Sequence, residues 1–384
     1  MKPVKNKKQI APLPYPFYFV PVLLVSLIGL IDSIYLSISH YRIYTDIGYK
    51  SFCAISGSIN CDTVSLSPYS LFMGIPVPVW GIIGYIVFLW LLFYALPQGH
   101  SRKKIWTWLF LLAFIFSACS ILLSLISLYV IHSYCIMCIV SYAVNLLLLY
   151  LTWIIRRRFK CEPVFKALII DKKYLVPHIV PGFLIFISCT LLLILFFPPY
   201  WKISYPELSK NIATGVTPDG HPWIGSENPE MEIIEFSDYR CFQCKKMHYY
   251  LRFLVQEKDR KIRLIHRHFP MDHAINPIVK RPFHQGAAKL ALVSIVSMQK
   301  GKFWEMNDAL FSISRQTELI NLKKIAELSG INYNDIKNVF HNNEAMDILK
   351  KDILAALKFG LTGTPGFVID GNVYTGRIPP EIFN

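Results

Sequence analysis

The residues best suited to chemistry in this chain are cysteines, and their spacing points to redox work. Six of the nine cysteines fall into three pairs, Cys53/Cys61, Cys135/Cys138 and Cys241/Cys244. The last two are CxxC motifs, Cys135-Ile-Met-Cys138 and Cys241-Phe-Gln-Cys244. When a CxxC opens a helix, its first sulfur lies beside unpaired backbone N–H groups at the positive end of the helix dipole, which favours the thiolate. The second sulfur, one turn on, can resolve a mixed disulfide. Three dithiols, each where an apolar segment meets a polar one, predict a relay for electron pairs. Other readings exist for each pair. A zinc site needs four ligands, and Cys241, Cys244 and His248 stop short of that with no second CxxC in the C-terminal part, so no metal is expected. Cys53/Cys61 alone suits a structural loop disulfide, and Cys135/Cys138 suits a structural disulfide or two packed thiols.

The elements that must position these sulfurs begin with membrane helices. Hydrophobic residues make up 53% of the chain and charged residues 17%. Five segments, roughly 17–39, 75–96, 105–131, 136–155 and 178–198, are long enough to span about 30 Å of hydrocarbon at about 1.5 Å per residue. The first apolar run, Phe17 to Ile38, is too long for a cleavable signal peptide and reads as a first transmembrane helix. The net charge of +15 does not imply nucleic acid. Basic runs at Lys2 to Lys8, Arg102 to Lys104 and Arg156 to Lys160 flank the apolar segments, and a five-helix arrangement puts all of them on one side. The expected topology is a multi-pass membrane protein with a cytoplasmic N-terminus. All three cysteine pairs then face the outer side, the oxidising side where disulfides persist. Cys119, Cys161 and Cys189 are expected to be ordinary buried or cytoplasmic residues.

The expected boundaries are a basic tail over 1–16, a four-helix domain over 17–155, a cytoplasmic link with the fifth helix over 156–198, a linker over 199–228 and a second domain over 229–384. In that domain Met231–Ser237 reads as a buried strand, and a helix follows Cys241 as far as Leu254. Lys261–His268 reads as a second strand, residues 282–359 as helical, and Gly366–Tyr374 as a hairpin turning at Asp-Gly-Asn. His266 and His268 are expected on that second strand and its edge. Thr364-Pro365, just before a strand, is a place for a cis proline.

These features resemble the thioredoxin superfamily, and most of all its DsbA-like branch, over residues 228–376. Phe236-Ser-Asp-Tyr-Arg-Cys-Phe-Gln-Cys244, His268-Phe-Pro270, the helical insertion and Gly363-Thr-Pro-Gly-Phe367 carry the resemblance. It implies that Thr364-Pro365 is a cis bond facing Cys241, that Cys241 is the exposed nucleophile and that Cys244 resolves. The Phe-Gln dipeptide departs from the usual Pro-His or Gly-Pro, and the chain stops at Asn384, before the last helix usual in this branch.

Residues 17–155 resemble the vitamin K epoxide reductase family. Cys61-Asp62, Ser67-Pro-Tyr-Ser70, Gly74-Ile-Pro76 and Trp80-Gly81 match its loop and second helix, and Cys135-Ile-Met-Cys-Ile-Val-Ser-Tyr-Ala-Val-Asn145 its quinone-facing motif. The order of the two resemblances matches bacterial members with a fused thioredoxin-like domain. It implies a membrane all-α four-helix bundle around a quinone (ubiquinone or menaquinone), a fifth helix, and an α/β thioredoxin-like domain with a helical insertion. Cys138 is then the quinone-reactive sulfur, Cys135 exchanges with Cys53/Cys61, and that pair exchanges with Cys241/Cys244. Tyr142 matches a tyrosine lining the quinone pocket, and Ser67 a serine of the loop capping it. Trp80 is weighed between bundle packing and ligand contact, Asn145 between interhelical bonding and the pocket, Asp32 between a local hydrogen bond and proton delivery, and His132 between proton transfer and no task.

The expected function is a thiol:quinone oxidoreductase supporting disulfide formation in exported proteins with cysteine thiols, its partners otherwise being membrane lipid and quinone. Alternatives are a thiol-driven quinone or quinone-epoxide reductase, and a non-catalytic membrane receptor with structural disulfides.

Overall fold

A computed structural model of the chain describes residues 14–49, 51–53, 59–96, 102–159, 161–164, 184, 186–188, 190–201, 212–257, 261–280, 282–313, 321–337, 339 and 342–383. They belong to two compact units, one within residues 1–42 and 51–201, the other within 43–50 and 202–384.

The first unit is built from α1 (Pro16–Thr45), a short α2 (Cys61–Leu66), α3 (Val77–Phe93), α4 (Arg102–Ile126) and α5 (Ile136–Arg158). Among the described residues three helical stretches, Pro16–Thr45, Ile105–Ile131 and Ile136–Arg158, are long and apolar enough to cross a membrane. The bundle is not wholly helical, because β1 (Leu71–Phe72) and β2 (Ile75–Pro76) form a small antiparallel ladder before α3. Pro76 caps α3, so the expected segment 75–96 contains a helix of 17 residues. α1 runs on to Thr45 rather than ending at 39. Its final residues include Ser39, His40 and Arg42, which end the hydropathy signal without breaking the helix. The described part of the expected fifth segment, 186–188 and 190–196, is helical, and Cys189 lies outside the described residues. Many side chains of this unit point outward with apolar surface, among them Phe17, Ile31, Phe93 and Tyr129. Its core gathers Phe88, Trp106, Leu109, Leu148 and Ile155. Gly29 lets α1 and α3 approach, since a Cβ there would lie 2.3 Å from the Tyr85 ring.

The second unit is a six-stranded sheet in the order β3-β4-β6-β5-β7-β8. Its strands are β3 (Thr214–Val216), β4 (Pro222–Gly225), β5 (Met231–Ser237), β6 (Ile262–His268), β7 (Gly366–Ile369) and β8 (Asn372–Thr375). β5 and β6 run parallel, joined by the crossover helix α6 (Phe242–Leu254). The other pairings are antiparallel. Among the described residues five helices separate β6 from β7: α7 (Ala287–Met298), α8 (Phe303–Ile313), α9 (Leu322–Ser329), α10 (Tyr333–Lys337) and α11 (Asn343–Lys358). Residues 214–225, expected in a linker, form two strands of this sheet. β6 lies inside the sheet, so His266 and His268 are buried and not on an edge. The β7–β8 turn uses Asp370 and Gly371, both at positive φ. The core between sheet and helices includes Phe236, Phe269, Leu310, Phe311, Leu349 and Ile353.

Candidate active site

In the first unit the sulfurs of two pairs come together. Cys53 and Cys61 are disulfide-bonded, with Cα atoms 5.6 Å apart, and both pack with Cys135 in one buried cluster that Cys138, Leu36, Val64 and Met137 border. The reason lies in a short β-type link between distant segments. Ile59 bridges to Tyr134, the Asn60 N–H donates to the Tyr134 carbonyl at 2.9 Å, and the Ser133 hydroxyl donates to the Asn60 carbonyl at 3.4 Å. This link sets the residue before Cys61 beside the residue before Cys135. Asn60 also caps α2, its side-chain oxygen accepting from the N–H groups of Asp62 and Thr63 at 3.0 and 3.1 Å. The Asp62 carboxylate in turn accepts from the Ser51 N–H at 3.3 Å, which ties the Cys53 side of the disulfide to α2. Cys135 is the cap of α5, and its sulfur accepts from the Cys138 N–H at 3.2 Å. The first sulfur of this CxxC therefore sits at a helix N-terminus, as the motif requires.

The residues expected around a quinone occupy different settings. Tyr142, one turn beyond Cys138, is half-buried. Ser67 is buried and its hydroxyl donates to the Val64 carbonyl at 2.7 Å. The Trp80 indole N–H donates to the Phe72 carbonyl at 3.0 Å. Asn145 joins three helices: its amide oxygen accepts from the Tyr85 hydroxyl at 2.6 Å, its amide nitrogen donates to Ser120 at 2.9 Å, and its carbonyl accepts from Ser117 at 3.0 Å. Asp32 is buried in α1, and one carboxylate oxygen accepts from the Ser141 hydroxyl of α5. Its other oxygen is buried without a hydrogen-bond partner. Ser141 follows Cys138 by three residues and so lies on the same helix face. His132 is exposed at the left-handed end of the π-turn Ser127–Ile131.

In the second unit Cys241 caps α6 and its sulfur accepts from the Cys244 N–H at 3.3 Å. The Thr364–Pro365 peptide bond is cis, and the Cys241 thiol donates to the Thr364 carbonyl at 3.5 Å. Sequence residues 123 positions apart are thereby joined at the reactive sulfur. The hydrogen bond from the Cys244 thiol, opposed by burial and aided by the charge of His284, brings the Cys241 thiol down to about 7. Burial, with the neighbouring Cys241 sulfur, pushes the Cys244 thiol well up. The two thiols are thus split into a nucleophile and a resolving partner. The dipeptide between them is engaged by residues 43–50 of the same unit. The Gln243 amide donates to the Ile47 carbonyl at 2.7 Å, and the Phe242 ring meets Tyr44 edge-on at 5.3 Å. Lys246, also buried, donates to the carbonyls of Ile43 and Asp46, each at 2.8 Å. His248, considered above as a metal ligand, instead pairs with Asp308 at 2.9 Å.

Sequence reading missed three features here. Glu235 on β5 is fully buried, and burial pushes its carboxyl up to about 7. His266 faces it with Nδ1 at 3.5 Å. His284, in the loop before α7, pairs with Asp238 at 2.8 Å. An acid set between Ile234 and Phe236 on a buried strand is a legible signal for Glu235, whereas 46 residues separate the members of the last pair.

Among known proteins, residues 20–153 match the family model described as the Vitamin K epoxide reductase family, and residues 217–384 match that of Thioredoxin. A thioredoxin-like oxidoreductase from Silicibacter pomeroyi is a similar solved structure, with 22% identity, coverage of 44% of this chain and 89% of that one, and a TM-score of 0.37. Oxidised BdbD from Bacillus subtilis gives 18%, 42%, 89% and 0.34 in the same order. The thiol-disulfide exchange protein alpha-DsbA2 from Wolbachia pipientis gives 21%, 42%, 83% and 0.34. A curated relative, the Na(+)/H(+) antiporter NhaA 3 of Salinispora tropica, is 24% identical over 161 residues, which is 42% of this chain and 23% of that protein. This chain spans less than a quarter of that relative. The two family matches lie in series, a stretch matching the vitamin K epoxide reductase family followed by one matching a thioredoxin domain, and each stretch carries a CxxC whose first cysteine caps a helix.

Proposed function

We propose that the chain carries electron pairs from the thiols of exported proteins to a membrane quinone. Client thiols reduce the Cys241–Cys244 disulfide, leaving the client oxidised and both sulfurs of the motif reduced. The Cys241 thiolate attacks the loop disulfide at Cys53 and releases Cys61 as thiolate, and Cys244 then displaces Cys53 and closes the Cys241–Cys244 bond. The loop dithiol passes the pair to a Cys135–Cys138 disulfide through Cys61 and Cys135. Each exchange is attack of a thiolate on a disulfide, so bonds and electrons balance at every step. The observation that carries this reading is the buried cluster in which the Cys53–Cys61 disulfide packs against the Cys135 sulfur. A purely structural disulfide has no need of a reduced thiol packed against it.

Residues near Cys138 suit a quinone. The unpartnered Asp32 carboxylate oxygen is a buried acceptor for a hydroxyl, and Tyr142 one turn from Cys138 offers a hydroxyl on the same face. A bound quinone supplies the sink for two electrons and two protons. The bundle's part is to hold it beside Cys138, exclude water, and present Tyr142 and Asp32 as hydrogen-bonding groups. Trp80 and Ser67 close the outer end, and Asn145 holds α3, α4 and α5 together around the pocket. The basic runs support a cytoplasmic N-terminus and a periplasmic thioredoxin domain in a bacterial inner membrane. Tethering the carrier to its acceptor raises its effective concentration.

Trapping tests the reading. In cells, full-length Cys244→Ser should accumulate mixed disulfides between Cys241 and exported proteins, together with an internal Cys53–Cys241 bond in which Cys241 has displaced Cys61 and no Cys244 thiol is present to resolve it, seen as joined proteolytic peptides. Recovery of neither species would refute the proposed order.

A further inference from the structure

The CxxC of the second unit has no charged residue between its cysteines, since Phe242 and Gln243 fill those places. A charge reaches the site from elsewhere. The turn after β5 presents Asp238, whose carbonyl accepts from the Cys241 N–H at 3.0 Å. The Asp238 carboxylate accepts from the Arg240 N–H at 2.6 Å and from the Met271 N–H at 2.7 Å. It also meets Nδ1 of His284 at 2.8 Å. The Asp238 and His284 side chains are 0% and 7% exposed. Asp238 thus holds the Cys241 backbone with one end and the His284 ring with the other.

Three further facts set His284 apart from a histidine that merely fills space. Its Nε2 is buried with no hydrogen-bond partner. Its φ is +41°, in the left-handed region, a conformation that the fold maintains at some cost for a non-glycine residue. The Phe283 ring stacks on it at 4.0 Å, which fixes its plane. A buried imidazole held by a buried carboxylate is the arrangement that keeps a proton on the ring.

We propose that His284, oriented by Asp238, serves as the imidazolium that stabilises the Cys241 thiolate, a cation supplied from outside the CxxC motif. The proton lost from Cys241 goes to solvent, and the ring keeps its own. His284 is a positioning residue, acting on the exchange through the charge state of Cys241. The charges that face one another support this. Burial alone would lower His284, but Asp238 and then Cys241 raise it, with Arg240 opposing, and His284 reciprocally lowers Cys241. The charged groups acting on His284 are Asp238, Arg240 and Cys241, all from the turn after β5, while Asp272 from the loop after β6 engages the Gly286 N–H at 2.8 Å. A stabilised thiolate leaves faster and makes the Cys241–Cys244 disulfide easier to reduce, as a carrier that oxidises client thiols requires.

The inference rests on Cys241 being the nucleophile, and its test needs neither quinone nor client, so it can fail while the relay stands. The reduced full-length protein in detergent is alkylated with iodoacetamide from pH 5 to 9, and labelling of Cys241 is followed by peptide mass spectrometry. His284→Gln should raise the midpoint of the labelling profile by about one unit, so that labelling at pH 6 slows about tenfold. His284→Lys, which keeps a positive charge, should restore much of the difference. His273→Gln, a change at a half-exposed neighbour, should track the wild type. The equilibrium constant with glutathione should move in the same sense, with tenfold equal to about 30 mV for a two-electron couple. Superimposable wild-type and His284→Gln profiles would overturn the proposal, as would equal upward shifts in the Gln and Lys variants. Should those variants misfold, the wild type gives the answer by reciprocity. The imidazole of His284, followed by NMR with labelled histidine, should titrate at higher pH in the reduced than in the disulfide form, and equal midpoints would overturn it.

Discussion

Glu235 makes the sharpest energetic prediction. It sits on β5, six residues before Cys241, with 0% exposure and neither carboxylate oxygen hydrogen-bonded. Burial pushes its carboxyl from an ordinary 4.5 up to about 7. A raised carboxyl means that the folded state holds a proton that the unfolded chain has released. Stability therefore falls as pH rises from 4.5 towards 7 and levels off above that. The full shift is equivalent to about 3 kcal/mol at high pH, and about 2 kcal/mol of it develops between pH 5.5 and pH 8.5. Glu235→Gln removes the titration. Full-length wild type and variant are unfolded in urea at both pH values, and the thioredoxin domain is followed by pulse proteolysis. The variant's advantage should grow by about 2 kcal/mol from the lower pH to the higher, a relative midpoint change of about 1 M for an m-value near 2 kcal/mol/M. His266 and His268, which burial brings down to about 3, add a loss of stability as pH falls below 6.5, but that loss is common to both proteins and cancels. Parallel urea midpoints at the two pH values would show that Glu235 does not hold a proton in the fold, and the reasoning from burial would be refuted.

Other changes have defined outcomes. Asn60→Ala removes the cap of α2 and the anchor beside Cys61, so the domain should lose about 1 kcal/mol, and the Cys53–Cys61 disulfide should be reduced faster by dithiothreitol, as gel-shift alkylation would report. Asn145→Leu breaks the Tyr85 and Ser120 links of the bundle and should destabilise it by about 1–2 kcal/mol in detergent unfolding. Gly225→Ala places a Cβ 2.2 Å from the Ile262 carbonyl at a φ of +121°, so it should cost about 1–3 kcal/mol and lower the thermal midpoint of the thioredoxin domain measured by calorimetry.

Much of this arrangement was legible in the sequence because it is local. Met231–Ser237 is a strand as its apolar run suggested, α6 ends at Leu254, and both CxxC motifs cap helices. Thr364–Pro365 is cis, as the resemblance implied. Where local signals mix, the reading drifted. α1 passes through polar residues to Thr45 because backbone hydrogen bonding continues after hydropathy has faded. Strands β3 and β4 were hidden in a Pro- and Gly-rich stretch because pairing with each other, and of β4 with β6, makes them strands. His266 and His268 looked like edge residues, since polar side chains on a strand suggest exposure, yet their strand lies between β4 and β5. The Asn60–Tyr134 link and the Asp238–His284 pair each join segments far apart in sequence, and no pattern within either segment announces its partner.

The central claim is that electrons pass through all three pairs to a quinone. The measurement that tests it most directly is turnover of the purified full-length protein with a reduced cysteine-containing peptide and either ubiquinone or menaquinone, counting peptide thiols lost and quinone reduced. The account predicts two thiols consumed per quinone reduced. It also predicts that turnover disappears in Cys138→Ser and Cys241→Ser, while Cys119→Ser keeps wild-type rates. Unchanged quinone reduction in both of the first two variants, with peptide as the only reductant, would contradict it.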